Sequence, residues 1–468
     1  MTDTRTESDS MGEMQVPADA LYGASTQRAV LNFPISGTPV NAAIIRAYGF
    51  IKAGAAAANR ELGKLTDTQA DAIIEVATAI SEGQLAEHFP VDVYQTGSGT
   101  STNMNVNEVI ANRCSQLAGN PIGSRDPVHP NDHVNMGQSS NDTFPSAIHI
   151  ATVLKLRDEL IPELSKLASA FEEKASAWNE VIKIGRTHLM DATPITLGQE
   201  FRGYAMQLSR AKRVLTASVE PLRDLALGGT AVGTGINTHH KFAKRAIGHI
   251  NASTGESFRE APDHFAAQAA KDELVALSGA LKTVATALFK ISNDLRWLSS
   301  GPRCAIGEIK LPATQPGSSI MPGKVNPVMA EAMMMVAARV IGNDTTITWA
   351  GANGNFELNV MMPVLADAIL ESIELLTNAS KALREKCVEG IEPNEERCKE
   401  LVELSLSMVT SLAPIIGYDK AAKIAKQSVE TGRTVRELCM EQHEELGLTI
   451  DELEKALDPL RMTQPDKG

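Results

Sequence analysis

Apolar residues with a helical spacing dominate the middle of this chain of 468 residues. Between residues 150 and 182 they fall at Val153, Leu156, Leu160, Leu164, Leu167, Phe171, Trp178 and Val181. These steps of three and four residues place the side chains along one face of an α-helix. The same spacing recurs in 197–226, 266–299, 327–349 and 362–388. We therefore predict five long helices, and a helix of thirty residues is about 45 Å long.

Shorter elements are predicted on either side of these helices. Residues 1 to about 15 are expected to be irregular, and the stretch that follows alternates short helices with polar loops. The final section returns to short helices, and its "TIDE" at 449–452 is typical of a capping box. The prediction is an all-α fold of three domains, with an elongated five-helix bundle in the centre. The domains are 1–138, 139–395 and 396–468.

The long helices carry many small residues, as in "AAQAAKDELVALSGAL" and "AEAMMMVAARV". Small side chains let helix backbones approach closely and leave apolar surface outside a single seam. Other subunits normally cover such surface. The sequence therefore favours an oligomer whose subunits associate through these helices.

Composition and charge narrow the class of partner. Hydrophobic residues make up 43% of the chain and charged residues 22%, as in ordinary globular proteins. The net charge of -13 argues against a nucleic-acid partner or an anionic membrane, since both require a basic surface. A small anionic substrate remains compatible with this charge, because one positive pocket can lie in an acidic protein.

The cysteines and the first residues predict the compartment. The five cysteines form no CxxC pair and offer no iron–sulfur or zinc ligand set. They are Cys114, Cys304, Cys387, Cys398 and Cys439. The opening "MTDTRTESDS" lacks the basic flank and apolar run of a signal peptide, and we expect no apolar segment long enough to span a bilayer. The prediction is a cytoplasmic protein without a membrane partner.

Two polar segments in the first third of the chain are candidates for substrate contact. In "TGSGTSTNMNVNEV" (96–109), a Gly–Ser–Gly–Thr turn could point backbone N–H groups at an anion, although simple helix capping is the favoured interpretation of this segment taken alone. In "HPNDHVNMGQSSND" (129–142), His129 and His133 have the spacing of a zinc pair. Pro130 argues against a regular helix through both, and the HExxH glutamate is missing. The tail "QSSND" offers neutral donors to a carboxylate, or is an ordinary turn and cap.

Three further loops interrupt the long helices. "GRTHLMDATPITLGQE" (185–200) places Thr187 and His188 just before the second long helix, where a lone histidine is more often structural than catalytic. "GGTAVGTG" (228–235) lacks the P-loop lysine and is predicted to be a close turn. "GSSIMPGKVNP" (317–327) could be a flexible linker, but linkers rarely need a lysine among donor groups. Its last proline could begin the following helix.

Together these loops resemble the signature segments of the fumarase/aspartase superfamily. The matching segments are "TGSGTSTNMNVNEV", "HPNDHVNMGQSSNDTFP", "GRTHLMDATPITLGQE", "GGTAVGTGIN" and "GSSIMPGKVNP". The likeness begins at "GASTQRAVLNFPIS" and extends into the C-terminal section, so it covers nearly the whole chain. Within the superfamily, His188, the "QSSND" run and Gly323 are similar to the class II fumarate hydratases rather than to the aspartases.

The resemblance implies a fold, an assembly and a reaction. It implies an all-α homotetramer that pools five long helices per chain, with active sites built from three subunits. The implied reaction is the reversible hydration of fumarate to (S)-malate in the tricarboxylic acid cycle. It proceeds by anti addition or elimination through an aci-carboxylate carbanion, with neither a metal nor an organic cofactor.

The resemblance also assigns residue roles. Ser318 is the base that removes the proton, which requires backbone N–H groups or a cation that favour its alkoxide. His188, oriented by Glu331, handles the water or the departing hydroxyl. Fixed donors stabilise the charge that develops on the carboxylate. The substrate-binding residues are Ser98, Gly99, Thr100, Ser139, Ser140, Asn141, Thr187, Ser319, Lys324 and Asn326, and a second carboxylate site contains His129, Asn131 and Asp132.

The sequence departs from the family at two points near these residues. Ser101 and Thr102 stand where many relatives have Gln–Ser, and the segment "HVNMGQ" (133–138) differs from relatives that have a common Lys–Ser there. These changes concern the surroundings of the site rather than the reaction.

Two other functions remain open from the sequence. The nearest is another lyase of the superfamily, such as an aspartate ammonia-lyase, which would release ammonia or a larger amine instead of water. The other is a helical scaffold without activity. The scaffold reading is disfavoured because Thr100, His188, Ser318, Lys324 and Asn326 are all retained.

Overall fold

The computed structural model describes residues 3–465, and 62% of the chain is helical. The prediction of an all-α fold is therefore confirmed. Eighteen α-helices are found in the described residues. They are α1 (Ala24–Asn32), α2 (Ala42–Glu61), α3 (Asp67–Ser81), α4 (Thr100–Leu117), α5 (Ser140–Lys155), α6 (Ile161–Ala177), α7 (Leu197–Ala217), α8 (Phe242–Thr254), α9 (His264–Ala269), α10 (Asp272–Leu298), α11 (Val328–Gly351), α12 (Met362–Lys386), α13 (Glu395–Leu404), α14 (Ala413–Ile416), α15 (Tyr418–Thr431), α16 (Val435–Glu441), α17 (His443–Leu446) and α18 (Ile450–Ala456).

The strands form two-stranded pairs only, within the described residues. All pairs are antiparallel except β5 with β6, which is parallel. The pairs are β1 (Thr4–Asp9) with β2 (Gly12–Pro17), β3 (Ile182–Thr187) with β4 (Met190–Thr196), β5 (Asp224–Leu225) with β6 (Arg259–Glu260), β7 (Ile309–Lys310) with β10 (Glu392–Pro393), and β8 (Gly354–Asn355) with β9 (Leu358–Asn359).

The five predicted long helices are present, with different ends. The first begins at Ser140 and continues through a π-helical turn, Leu156–Leu160, into α6. The second ends at Ala217 rather than near residue 226, because Pro221 in the following 3₁₀ turn has no N–H to continue the ladder. The third begins at Asp272, since the backbone at Ala270 is extended and separates it from α9.

Two hairpins were not predicted. Residues 1 to about 15 were expected to be irregular, and residues 1–2 of this range lie outside the described residues. In the rest, β1 and β2 pair in register from Thr4 with Pro17 to Asp9 with Gly12. Their side chains are mostly polar, so no apolar alternation indicated a strand. The β3–β4 hairpin occupies residues that were read as a loop before the second long helix.

The chain divides into two compact units made of interleaved segments. The first contains the chain up to Pro162 together with Arg213–Ala285 and Ala338–Thr377. The second contains Glu163–Lys212, Thr286–Ala337 and the chain from Asn378 onward. The division into domains 1–138, 139–395 and 396–468 stays a prediction.

In the first unit, α2 lies at the centre and packs against α3, α5 and α8. Its small residues allow this close packing. A Cβ added at Gly49 would lie 2.5 Å from the backbone nitrogen of Ser81, so only glycine fits where α2 meets α3. Lys52, in the middle of α2, is fully buried.

In the second unit, an aromatic cluster joins α6 to α7. The rings of Trp178 and Phe201 lie 4.8 Å apart, and those of Phe171 and Tyr204 lie 5.8 Å apart. A separate apolar cluster holds the C-terminal helices together. The capping box predicted at the start of α18 is confirmed, with Thr449 N donating to Glu452 Oε2 over 2.8 Å.

One helix among the described residues, α10, is long and apolar enough to cross a membrane by length and composition. The expectation that no segment is long enough was therefore wrong for this helix. Its most apolar window is 56% buried inside the protein, and core helices of soluble proteins meet the same two criteria.

Candidate functional site

The starts of α4 and α5 lie side by side in the first unit. Thr100 Oγ1 lies 2.7 Å from Ser140 Oγ and 2.8 Å from Ser98 Oγ. Gly99 precedes α4 with a φ of +72°, and a Cβ there would lie 2.0 Å from a ring carbon of Phe144. This close approach therefore requires glycine. We call residues 98–100 and 139–141 the paired helix ends.

The second of these ends is capped in the usual way. Ser139 Oγ accepts from Asn141 N, and Ser139 N donates to Asp142 Oδ1 over 2.9 Å, which completes a capping box. The reading of "QSSND" as a cap is thus correct. It is compatible with substrate binding, because the positive ends of two helix dipoles meet beside three hydroxyl groups.

The glycine-rich segment 228–235 is a turn, as predicted, and it is tied to the start of α5. Asn141 Nδ2 donates to the carbonyl oxygen of Ala231 over 2.8 Å. Asp142 Oδ2 accepts from the backbone nitrogens of Gly228 and Thr230, at 3.0 and 2.9 Å. The Asp142 carboxylate therefore links the start of α5 to the glycine-rich turn.

Thr187 and His188 lie at the exposed end of the β3–β4 hairpin. His188 and Leu189 form its two-residue turn, and both have positive φ, at 56° and 61°. Such a turn normally takes glycine or asparagine, and a left-handed conformation at another residue costs about 1–3 kcal/mol. His188, to which the family resemblance assigns a catalytic role, thus lies in a strained turn.

Buried charges anchor the base of this hairpin. Arg186 Nη1 lies 2.8 Å from Glu308 Oε2, and Lys183 Nζ lies 3.3 Å from the same oxygen. Lys183 also lies 3.2 Å from Glu200 Oε2. Burial raises the pKa of the Glu200 carboxyl. These contacts fix the strand that leads to Thr187.

The loop 317–327 is irregular but internally bonded. Ser318 Oγ accepts from the backbone nitrogens of Ile320 and Met321, at 3.3 and 3.1 Å. Asn326 Nδ2 donates to the carbonyl oxygen of Gly317 over 2.5 Å. A Cβ at Gly317 would lie 1.9 Å from the carbonyl oxygen of Lys324, so this closure requires glycine.

A cavity of about 520 Å³ lies beside this loop. Lys324, Asn326 and Glu331 line it, so the structure brings these three predicted residues together. Pro327 precedes α11, and Glu331 in the first turn donates its N–H to the Pro327 carbonyl. This agrees with the predicted helix start.

Other predicted residues are not brought together within one chain. Ser318, Ser319, Thr187 and His188 are absent from the described lining of that cavity. Among the hydrogen bonds of the described residues, none joins His188 to Glu331. The orientation of His188 by Glu331 therefore stays a prediction.

The predicted second carboxylate site forms a single π-helical turn, Pro130–Val134, after His129. His129 Nδ1 accepts from the backbone nitrogens of Asn131 and Asp132, at 3.2 and 3.1 Å. Burial lowers the pKa of His129. His133 Nδ1 accepts from the backbone nitrogen of His129 over 2.9 Å, so both histidines use this atom to hold the turn.

Sequence reasoning missed four residues at these places. Asn293 and Arg296 line the cavity with Lys324. Asp142 and Lys52 support the paired helix ends from within the core. Asp142 could have been found, because it follows the cap residue Ser139 by three positions. Lys52 also had a signal, as a lone charge within the apolar run "FIKAGAAAAN".

Comparison with known proteins gives consistent matches over the whole chain. A family model described as "Lyase" matches residues 12–342, and one described as "Fumarase C C-terminus" matches 408–464. The chain is 52% identical to a class II fumarate hydratase of Thermosynechococcus vestitus, over 97% of each chain. It is 51% identical to that of Thermus aquaticus, over 99% of each chain.

A solved structure gives the same result for the fold. The class II fumarase of Schistosoma mansoni superimposes with a TM-score of 0.94 and 39% sequence identity. The match covers 99% of this chain and 100% of that one.

Proposed function

The chain belongs to the class II fumarate hydratase family and catalyses the reversible hydration of fumarate to (S)-malate, and from this premise we propose which residues carry the reaction. The family acts on a small dicarboxylate, and membership of class II implies a reaction that needs no metal. An aspartate ammonia-lyase activity is not favoured, because the relatives of high coverage are fumarate hydratases.

We propose that Ser318 is the base. In the direction of dehydration, the Ser318 alkoxide takes the C3 proton of malate, and the electron pair moves into the neighbouring carboxylate as an aci-carboxylate. The pair then forms the double bond while the C2 hydroxyl leaves with a proton from His188 as water. The observation that carries this assignment is the Ser318 turn, whose two N–H groups point at Oγ and would stabilise an alkoxide.

The remaining roles follow from charge and donors. Lys324 and Asn326 would hold the carboxylate that gains charge, since both residues line one cavity. The paired helix ends, together with Thr187 and Ser319, would bind the carboxylates through neutral donors. The hydroxyl groups of Ser98, Thr100 and Ser140 already converge at the paired helix ends, where the helix N-termini favour an anion.

We further propose a homotetramer with sites shared between subunits. His188 and Glu331 are not hydrogen-bonded within one chain, among the bonds of the described residues, so the proposed contact would form between subunits. Large apolar side chains on the long helices remain exposed in one chain, among them Met335 at 68% and Trp349 at 73%. A molar mass of about four chains, measured by light scattering in solution, would support the tetramer. The mass of a monomer would refute it.

Three further proposals accompany the proposed tetramer. The domains are 1–138, 139–395 and 396–468, the protein acts in the cytoplasm, and His129, Asn131 and Asp132 bind a second carboxylate. The backbone N–H groups of Asn131 and Asp132, gathered at His129, support the last of these.

An absorbance assay tests the function directly. Loss of the conjugated double bond of fumarate is followed in water, with and without ammonia. We expect full turnover without ammonia and malate as the product, and Ser318→Ala is the control for background hydration. Turnover that requires ammonia would contradict the proposal.

A further inference from the structure

A buried lysine lies behind the paired helix ends. The side chain of Lys52 is fully buried in α2, and its Nζ donates to three side-chain amide oxygens. The acceptors are Asn103 Oδ1 at 2.8 Å, Asn135 Oδ1 at 3.1 Å and Gln138 Oε1 at 2.9 Å. All three acceptors are neutral, so the ammonium has hydrogen bonds but no carboxylate in direct contact.

These amides lead directly to the substrate-binding residues. Gln138 immediately precedes Ser139, and its Nε2 donates to the Val134 carbonyl over 3.0 Å. Asn135 Nδ2 donates to the Gln138 carbonyl over 3.2 Å. Asn103 lies one turn into α4, after Thr100. Lys52 therefore binds the segment before α5 and the first turn of α4 at the same time.

Asp142 holds the same helix end from the other side. It is fully buried, and its two oxygens accept from Ser139, Gly228 and Thr230, all backbone nitrogens. The carboxylate thereby fixes Ser139–Asn141 against the 228–231 turn, to which Asn141 also donates. A lysine and an aspartate of opposite charge thus lie behind one candidate anion site.

Keeping both charges in the core is costly. Burial lowers the pKa of Lys52 to about 7 and raises the pKa of Asp142 to about 6, because the charged form of each loses its hydration. An apolar pair of similar size would avoid this cost. Buried charges with specific partners beside a site often serve its function rather than its stability.

We propose that Lys52 and Asp142 are a pair of positioning residues that fix the paired helix ends, so that affinity for the dicarboxylate depends on them. Neither touches the substrate. The inference rests on the proposed binding role of Ser139, Ser140 and Asn141. It goes beyond that role by naming what holds these residues in place.

The test is a substitution that removes the charge and keeps the bulk. In the full-length enzyme, Lys52→Met should raise KM for fumarate about tenfold and change kcat by less than about threefold, because the chemical groups stay intact. The inhibition constant of succinate, an unreactive dicarboxylate, should rise by the same factor. Unchanged values of KM and of the succinate constant would overturn the proposal.

Lys271 provides a matched control. It is also buried, and its Nζ donates to the carbonyls of Ala267, Gln268 and Ala270 at the end of α9. Lys271→Met removes a buried lysine that supports a different helix end, so KM should stay within about twofold. An equal rise of KM in both variants would mean a general loss of packing and would overturn the specific role.

Two further variants keep the test decisive. If Lys52→Met does not fold, Gln138→Leu removes one partner at a half-buried position and should raise KM about threefold; no rise would overturn the proposal. Asn141→Ala distinguishes a failure of the proposed binding role from a failure of the proposed Lys52–Asp142 pair. An unchanged KM in Asn141→Ala would refute the binding role, whereas a raised KM there and an unchanged KM in Lys52→Met would refute only the pair.

Discussion

The paired helix ends and the loop 317–327 contribute to the proposed site in different ways. The helix ends are built into the core, where Gly99 touches the Phe144 ring and Asp142 is fully buried. The loop is mostly exposed in the single chain, and the hydrogen bonds of its Ser318 and Asn326 side chains run within the loop itself. The donors of the paired helix ends thus lie on packed structure, whereas Ser318, the proposed general base, lies on a loop.

This difference assigns separate tasks to the two regions. Donors fixed by packing bind an anion without reorganisation, which favours affinity. A loop that contains its own glycines and prolines can close over a bound substrate, which favours the chemical step. Changes in the helix ends should therefore alter KM and stability, and changes in the loop should alter kcat.

The largest effect is expected at Ser318. Ser318→Ala should lower kcat about a thousandfold, since a positioned base contributes about 10²–10⁴, while KM changes little. Steady-state kinetics on the fumarate absorbance measure both. Gln315→Ala is the neighbouring control, at an exposed position before the loop with no proposed role, and it should retain most of kcat. A loss of less than about tenfold in Ser318→Ala would remove this serine from the role of base.

The next effect compares two glycines with positive φ. A Cβ at Gly99 would collide with Phe144, whereas a Cβ at Gly323 would meet nothing within 4 Å. Gly323→Ala should cost only the left-handed strain of about 1 kcal/mol. Gly99→Ala adds overpacking and should cost about 3 kcal/mol or more. Urea unfolding compares the two, and equal losses of stability would contradict the distinction between packed base and open loop.

A smaller effect on stability is expected on acidification, at a buried histidine within α5. His149 in α5 is fully buried, and burial lowers its pKa to about 4. The unfolded chain binds this proton below about pH 6.5, so the folded state loses stability as the pH falls from there toward 4. At pH 5 the loss is about 2 kcal/mol relative to pH 7.

His149→Gln isolates this contribution. The variant keeps a donor for the Asp224 carbonyl, which lies 2.9 Å from His149 Nδ1, but it cannot take up a proton. Its unfolding free energy should therefore fall less than that of the wild type between pH 7 and pH 5. Parallel pH profiles of the two proteins would show that His149 does not contribute.

The sequence predicted the long helices well because their apolar spacing extends over many turns. It missed the β3–β4 hairpin for two physical reasons. The strand "IKIGRT" is short, and the His188–Leu189 turn has none of the glycine or asparagine that indicates a tight hairpin. The fold holds these two residues in a left-handed conformation that their own preferences oppose.

The candidate site could be predicted only in part. The polar loops are visible as breaks in the helical pattern, and resemblance to a family assigned their roles. The residues that hold these loops in place do so through contacts between distant segments, such as Lys52 with Gln138 and Asp142 with Gly228. No local pattern shows that an isolated lysine in a helix reaches a loop more than eighty residues away.

The most direct measurement is complementation between two inactive variants. Ser318→Ala removes the proposed base, and Asn141→Asp places a carboxylate where the substrate dianion should bind. Each protein alone should be nearly inactive. The two chains are then unfolded, mixed in equal amounts and refolded, with wild type treated in the same way as the reference.

If each site takes the loop 317–327 and the paired helix ends from different subunits, about a quarter of the sites in a random mixture carry neither substitution. The mixture should then recover about a quarter of the wild-type kcat. A mixture no more active than its parents, although it forms mixed oligomers, would contradict the shared site.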